Sequence, residues 1–240
     1  PLWSRGLGDV YKRQVLKAFA ETRGVALWLQ PKGPETAVPF WPDRPEELFY
    51  ELPDFGLRLR FRPTDFTQIN HSVNRLMIRR AIALLAPTIQ DRVVDLFCGL
   101  GNFTLPIAVK GAQVHGIEGS EGLIAMARDN ANANRLEERC SFSVGNLFAP
   151  GVFEQAIDRF GHFNKVLIDP PREGAIEVVK FLAAVARPER IVYVSCDPGT
   201  LARDAAVLVN AGDYRLKCAG IINMFPQTSH VESMAMFERH

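Results

Sequence analysis

This chain has no CxxC pair, no long apolar run and almost no net charge. Its four cysteines, Cys98, Cys140, Cys196 and Cys218, lie far apart. Neither a zinc site nor an iron–sulfur cluster can therefore be built from close pairs. Free thiols at such spacing require no oxidising compartment, and a cytoplasmic protein is expected. No uninterrupted apolar stretch approaches the roughly 20 residues that span a bilayer, so a membrane protein is not expected. A net charge of +1 lacks the strongly basic signature of most polyanion binders. The first residue is not Met, and PLWSRGLGDVYKRQ has no charged-then-apolar leader layout. GDVYKRQ reads as adapter-derived sequence, so residues 1–14 are set aside, and the natural protein is expected to begin upstream.

What is present is an ordinary globular composition of 240 residues, 47% hydrophobic and 23% charged. That length buries one large core, or one domain with a small appendage. Residues 15–62 are rich in proline, aromatics and short alternating segments; VALWLQ (25–30), ELFYEL (47–52) and LRLRFR (57–62) read as strands of a β-rich module too small to stand alone. Near residue 63 the character changes. NHSVNRLMIRRAIALLAP (70–87) has a helical apolar period ending at Pro87. Strands and helices then alternate: RVVDLF before NFTLPIAVK, QVHGIE before GLIAMARDNANANR, then CSFSVG, KVLID before IEVVKFLAAVA, and RIVYVS before a helix from Thr200. YRLKCAGIINMF and HVESMAMF follow as two strands without a helix between them. The pattern over 63–240 predicts a doubly wound, mostly parallel α/β sheet with an antiparallel final pair. In such sheets ligands bind beyond the carboxyl ends of the strands.

Four loops at those ends carry chemistry. In DLFCGLGNFTL (95–105), Gly99 and Gly101 join strand to helix, where a backbone approaches a ligand closely. A dinucleotide fingerprint would place a third glycine at position 104, which is Thr104. Asp95 before the glycines and Glu118 after them match the layout of S-adenosylmethionine binding, with Glu118 suited to a ribose diol. Asn146 ends the third strand, as a ligand contact or a turn cap. IDPPREGA (168–175) presents Asp169 and two prolines that stiffen the turn and remove backbone donors. Arg172 in that loop is a phosphate or carbonyl contact, or a solvated turn residue.

VSCDPGTLARD (194–204) puts Cys196 at a strand end beside these loops. Most cysteines only pack. A thiolate beside a methyl donor has one clear use, however. Addition to carbon-6 of a pyrimidine turns the ring into an enolate, and carbon-5 can then take a methyl group. Release of the thiol requires a base for the carbon-5 proton. Glu232, in MFPQTSHVESMAMF, is the candidate.

DLFCGLGNFTLP, IDPPREGA, VSCDPGTLARD and MFPQTSHVESM, preceded by DFTQINHSVN (65–74), together resemble the RNA uracil-C5 (m5U) methyltransferase family, from about residue 57 to the end. The last two motifs look closest to the branch acting on 23S ribosomal RNA. The resemblance implies a class I S-adenosylmethionine-dependent methyltransferase fold, Rossmann-like and seven-stranded, with an RNA substrate. It implies Cys196 as nucleophile and Glu232 as base. Cofactor contacts would be Gln68, Phe97, Asn102, Glu118, Asn146 and Asp169, with Phe66 beside the flipped uracil. Members of that branch usually carry an N-terminal oligonucleotide-binding domain and four cysteines for an iron–sulfur cluster. This sequence has neither, and reads as a C-terminal piece acting as a monomer. It also has Asp197 where SCNP is commoner.

Other residues stay open between two readings. Arg58, Arg60 and Arg62 alternate on one strand face, and Arg75, Arg79 and Arg80 follow on a helix, as a phosphate-tracking strip or a solvated face. His230 orders Glu232, contacts RNA, or caps a turn. A target base must be unstacked into the pocket, and Phe66 or Phe225 could fill the gap. An RNA cytosine-C5 enzyme would want a cysteine after KVLID, where this chain has prolines. A tRNA uridine-C5 enzyme and a non-catalytic RNA-binding piece are the remaining alternatives.

Overall fold

The computed structural model describes residues 2–149, 160–228 and 230–240. Two compact units divide the chain: Pro1–Leu48 with Arg62–Asp65, and Phe49–Phe61 with Phe66–His240.

The smaller unit holds helix α1 (Leu2–Arg23) and an antiparallel pair, β1 (Leu27–Leu29) and β2 (Val38–Trp41). Residues 15–23 are helical, where the sequence led us to expect a strand-rich segment, and VPFW forms an unanticipated strand. The Lys17 ammonium sits 3.8 Å above the Trp41 ring, and the Arg13 guanidinium 5.6 Å from that of Phe40.

The larger unit begins at Phe49, within β3 (Leu48–Leu52), which forms a two-stranded sheet with β4 (Leu57–Phe61). Helix α2 (His71–Leu85) follows. The Asn70 side chain accepts from Val73 N at its start, and Ala86 ends it in the left-handed region just before Pro87. Met77, Ile78, Ala81, Ile82 and Leu85 are buried at the i, i+3, i+4 spacing of one helical face. Then come β5 (Arg92–Leu96), α3 (Thr104–Val109), β6 (Gln113–Glu118), α4 (Glu121–Ala133), β7 (Cys140–Val144), β8 (Lys165–Ile168), α5 (Ile176–Phe181, running on as a π-helical turn to Ala186), β9 (Arg190–Ser195), α6 (Pro198–Ala211), β10 (Tyr214–Ile222) and β11 (Glu232–Arg239). Helix α6 starts two residues before Thr200, because Pro198 suits a first helical position and Asp197 caps it.

Seven strands form one sheet in the order β10-β11-β9-β8-β5-β6-β7. β7, β6, β5, β8 and β9 are mutually parallel; β11 is antiparallel to both β9 and β10. Strand β9 shows how the sheet divides the core. Val192 and Val194 join the cluster built with α2, α3 and α4, while Ile191 and Tyr193 join the one built with α5 and α6. Burial on both faces explains why these strands read as near-continuous apolar runs.

The arginine strip is largely engaged within the protein. Arg58 lies 3.3 Å from the Phe49 ring centre, Arg62 pairs with Asp65 and Arg79 with Asp54, and Arg75 donates to Glu51 O. The β4 backbone is stitched to α4 by Asn130 and Asn134, which accept from Arg60 N and Arg58 N.

Candidate active site

The loops leaving the carboxyl ends of β5, β6, β7, β8 and β9 converge on one cavity of about 930 Å³. Residues 66–68 and the 225–232 segment close its remaining sides. Phe66, Gln68, Phe97, Gly99, Glu118, Asn146, Asp169, Arg172, Cys196, His230 and Glu232 all line it. Eleven of the thirteen residues singled out in the sequence are thus brought together, as the crevice rule for open parallel sheets requires.

Gly101 and Asn102 are the two exceptions; neither lines the cavity. Gly101 has φ +98°, and a Cβ there would stand 2.5 Å from Leu105 Cδ1, so its role is to let the turn close on its own helix. The Asn102 amide is occupied behind the loop. Its oxygen accepts from Tyr50 Oη at 2.8 Å and Asn74 Nδ2 at 3.1 Å, and its Nδ2 donates to Asn74. Gly99, by contrast, has φ +55° with nothing within 4 Å of where a Cβ would project.

Strand register bears on the candidate pair, Cys196 and Glu232. Ser195 on β9 stands opposite Ser233 on antiparallel β11, and Ser233 Oγ donates to Ser195 O at 3.2 Å. That pairing ends the ladder, and it brings Cys196, the residue after Ser195, and Glu232, the residue before Ser233, to the same end of the strand pair. Cys196 is half-buried and Glu232 is buried. Burial, then the Glu232 and Asp169 carboxylates, hold the Cys196 thiol above its usual range; Arg172 acts the other way. Burial also raises Glu232. Asp169 is pushed up to about 8 by burial and by the Glu232 and Asp95 carboxylates, and Asp95 up to about 7, chiefly by burial. Asp169 and Glu232 both line the cavity, and a cation bound beside them would draw them toward the charged form.

The Asp197 carboxylate accepts from Gly199 N and Thr200 N at 2.8 and 3.0 Å, so it is engaged in capping α6. Arg203 and Asp204, in the same motif, hold the proline loop. Buried Asp204 accepts from Ala175 N and Tyr193 Oη, at 2.8 and 2.7 Å, and Arg203 donates to Glu173 O. Across the cavity mouth, Arg172 Nη2 lies 3.3 Å from His230 Nδ1, and His230 meets the Phe225 ring edge-on at 6.0 Å.

The other half of the cavity fits an adenosyl group. Glu118 accepts from Gly99 N and Ser120 N, at 3.3 and 3.0 Å, which leaves carboxylate lone pairs for a diol. Phe97, held at φ +62°, faces Phe148 at 5.5 Å, and Leu123 adds apolar wall for a flat base. Asp95 Oδ1 is buried with no hydrogen-bond partner among the described residues. Phe148 and Leu123 were not foreseen; an aromatic just after the Asn146 turn is the signal that would have found the first.

Residues 48–144 and 152–240 match the family described as tRNA (Uracil-5-)-methyltransferase. The chain belongs to that family. Over 224 residues it is 58% identical to the 23S rRNA (uracil(1939)-C(5))-methyltransferase RlmD of Thiobacillus denitrificans, and equally to that of Azoarcus sp.. The match takes in 93% of this chain and 51% of each relative, so the chain spans about half the length of the curated relatives it matches. Among solved structures, the family's fold recurs in Pyrococcus abyssi tRNA (uracil-54, C5)-methyltransferase in complex with S-adenosyl-L-homocysteine. The TM-score is 0.67 at 31% identity, covering 80% of this chain and 44% of that one. A class I methyltransferase fold is also shared with the delta-N METTL16 domain, at TM-score 0.59 and 16% identity.

Proposed function

We propose that this chain is the catalytic part of a cytoplasmic, S-adenosylmethionine-dependent RNA uridine-C5 methyltransferase, acting as a monomer on 23S ribosomal RNA. The observation that supports the reading is that Cys196 and Glu232, which flank the Ser195–Ser233 pair, both line one cavity with Asp169 and Glu118. The names of its relatives favour the uridine those proteins modify. The Pro170-Pro171 turn, with no thiol after β8, disfavours the cytosine alternative. The chain's neutral charge is consistent with RNA contacts lying in other parts of a longer protein.

Gln68, Phe97, Gly99, Glu118, Asn146 and Asp169 hold the cofactor. Gly101 and Asn102 shape the loop from behind. When bound, S-adenosylmethionine supplies an activated methyl group and a positive sulfonium charge among the carboxylates. Phe66, Arg172 and His230 hold the flipped uracil and its phosphate. The Cys196 thiolate adds to carbon-6 of the base and makes carbon-5 nucleophilic. After carbon-5 is methylated, the Glu232 carboxylate takes its proton, the carbon-6–sulfur bond breaks, and the ring double bond returns.

The test is covalent trapping on 23S ribosomal RNA fragments carrying 5-fluorouridine. Fluorine at carbon-5 cannot leave as a proton, so a denaturation-resistant protein–RNA band is expected with S-adenosylmethionine present. Cys196→Ala should abolish the band while cofactor affinity by calorimetry stays within about twofold. A band that survives the substitution would remove Cys196 from the mechanism. Cofactor binding with no band on any RNA would favour a non-catalytic RNA-binding piece.

A further inference from the structure

A second hollow, of about 520 Å³, opens beside the first and shares Phe225 with it. One wall is the start of α2, with Ile69, Asn70, His71 and Ser72; the other is Met224, Phe225, Pro226 and Thr228. The two walls differ in chemistry along their depth. Met224 is buried at the floor, and Ile69 is 78% exposed, a large apolar side chain left in solvent at the edge. Asn70 and Thr228 are engaged locally, capping Val73 N and donating to Phe225 O. The Ser72 hydroxyl makes no hydrogen bond among the described residues.

Apolar faces with a few polar groups at the rim suit a flat heterocycle, whose faces stack and whose edge hydrogen-bonds. The reading of the main cavity requires a single-stranded stretch of RNA there, since a flipped base enters with its chain unstacked. The next nucleotide on that strand must lie within one backbone step of the target. Phe225 lines both hollows.

We propose that the hollow between Ile69–Ser72 and Met224–Thr228 is a second base-binding subsite, which takes the nucleobase adjacent to the target uridine. The inference rests on the RNA-methylating reading of the main cavity. Phe225 stands between target base and neighbour as a shared wall. Ile69 covers the neighbour's outer face, and Ser72 meets its edge. The subsite makes the enzyme depend on a base at that position, and it couples recognition of the neighbour to entry of the target.

The experiment compares 5-fluorouridine RNA with the same RNA lacking the base on one side or the other of the target, using the 240-residue chain and S-adenosylmethionine. Adduct formation is followed against RNA concentration. Removing the base on one side is expected to raise the half-saturating concentration by about 5- to 100-fold, the span of one stacked base. Ile69→Ala should weaken intact RNA and leave the RNA without that base unchanged. Ser72→Phe, which fills the hollow from an exposed position, should do the same by obstruction. Equal losses on intact and base-less RNA, or no effect of removing either base, would overturn the subsite and leave the catalytic reading standing. No adduct with any RNA would overturn the catalytic reading, and the subsite with it.

Discussion

Cys98 and Cys196 occupy matching places: each follows a parallel strand of one sheet, β5 and β9, at the same carboxyl edge. Each also has carboxylates close by, Asp95 and Glu118 for the first, Glu232 and Asp169 for the second. Burial is the leading cause of a raised thiol in both. Their surroundings otherwise diverge. Cys98 is 4% exposed and packed so closely against β6 that a Cβ on Gly116 would sit 2.8 Å from its sulfur. Cys196 opens onto the cavity, with the Arg172 guanidinium opposing the Glu232 and Asp169 carboxylates. Position at a strand end is thus shared by both thiols. In the proposed mechanism, access, a neighbouring cation and a partner base set Cys196 apart.

The contrast can be broken most directly at the base. Glu232→Gln should slow turnover by about a hundredfold or more and make the thioether accumulate on ordinary uridine RNA, because the carbon-5 proton stays in place. An adduct that resolves at the normal rate would take Glu232 out of this role. The two thiols should also differ in their answer to pH. Since the Cys196 thiol is held above its ordinary value of 9.0, its thiolate fraction grows as pH rises and has not levelled off at that value. Its alkylation by iodoacetamide should keep climbing across pH 7 to 9 without a plateau, read by peptide mass spectrometry. Cys98 should stay unmodified until the fold opens. Gly116→Ala drives a methyl group into Cys98 and the Phe142 ring, and should lower stability by about 1–3 kcal/mol in urea unfolding. Cys98→Ala is the mildest change: about 1 kcal/mol of stability, with the covalent adduct retained.

Much of this was legible in the sequence because the informative signals are local. Strand ends, the proline loop, the Asx-type caps and the two glycines lie in short motifs, and the parallel topology carries all of them to one edge. What escaped is what distant chain segments decide. The side chain of Asn102, which the resemblance assigns to the cofactor, accepts from Asn74, 28 residues before it, and from Tyr50, 52 residues before it. Asp204 and Arg203 read as ordinary helix residues, and become supports of the 169–175 loop only because α6 packs beside it. The helical state of residues 15–23 follows no strong apolar period, so the surrounding proline and aromatics misdirected the reading. The arginine strip keeps its alternation, but neighbouring carboxylates and rings, invisible to periodicity, occupy several of its members.

The pairing of Ser195 with Ser233 has a further consequence for how such a chain tolerates change. Cys196 and Glu232 are distant in the chain, yet the ladder between β9 and β11 brings both to one end of the strand pair, whatever the length of the segment that leads into β11. Residues can be gained or lost between β10 and β11 while Glu232 keeps its station. A slip of one residue along β11 has a different outcome: every side chain of that strand changes face, and the carboxylate passes to the far side of the sheet.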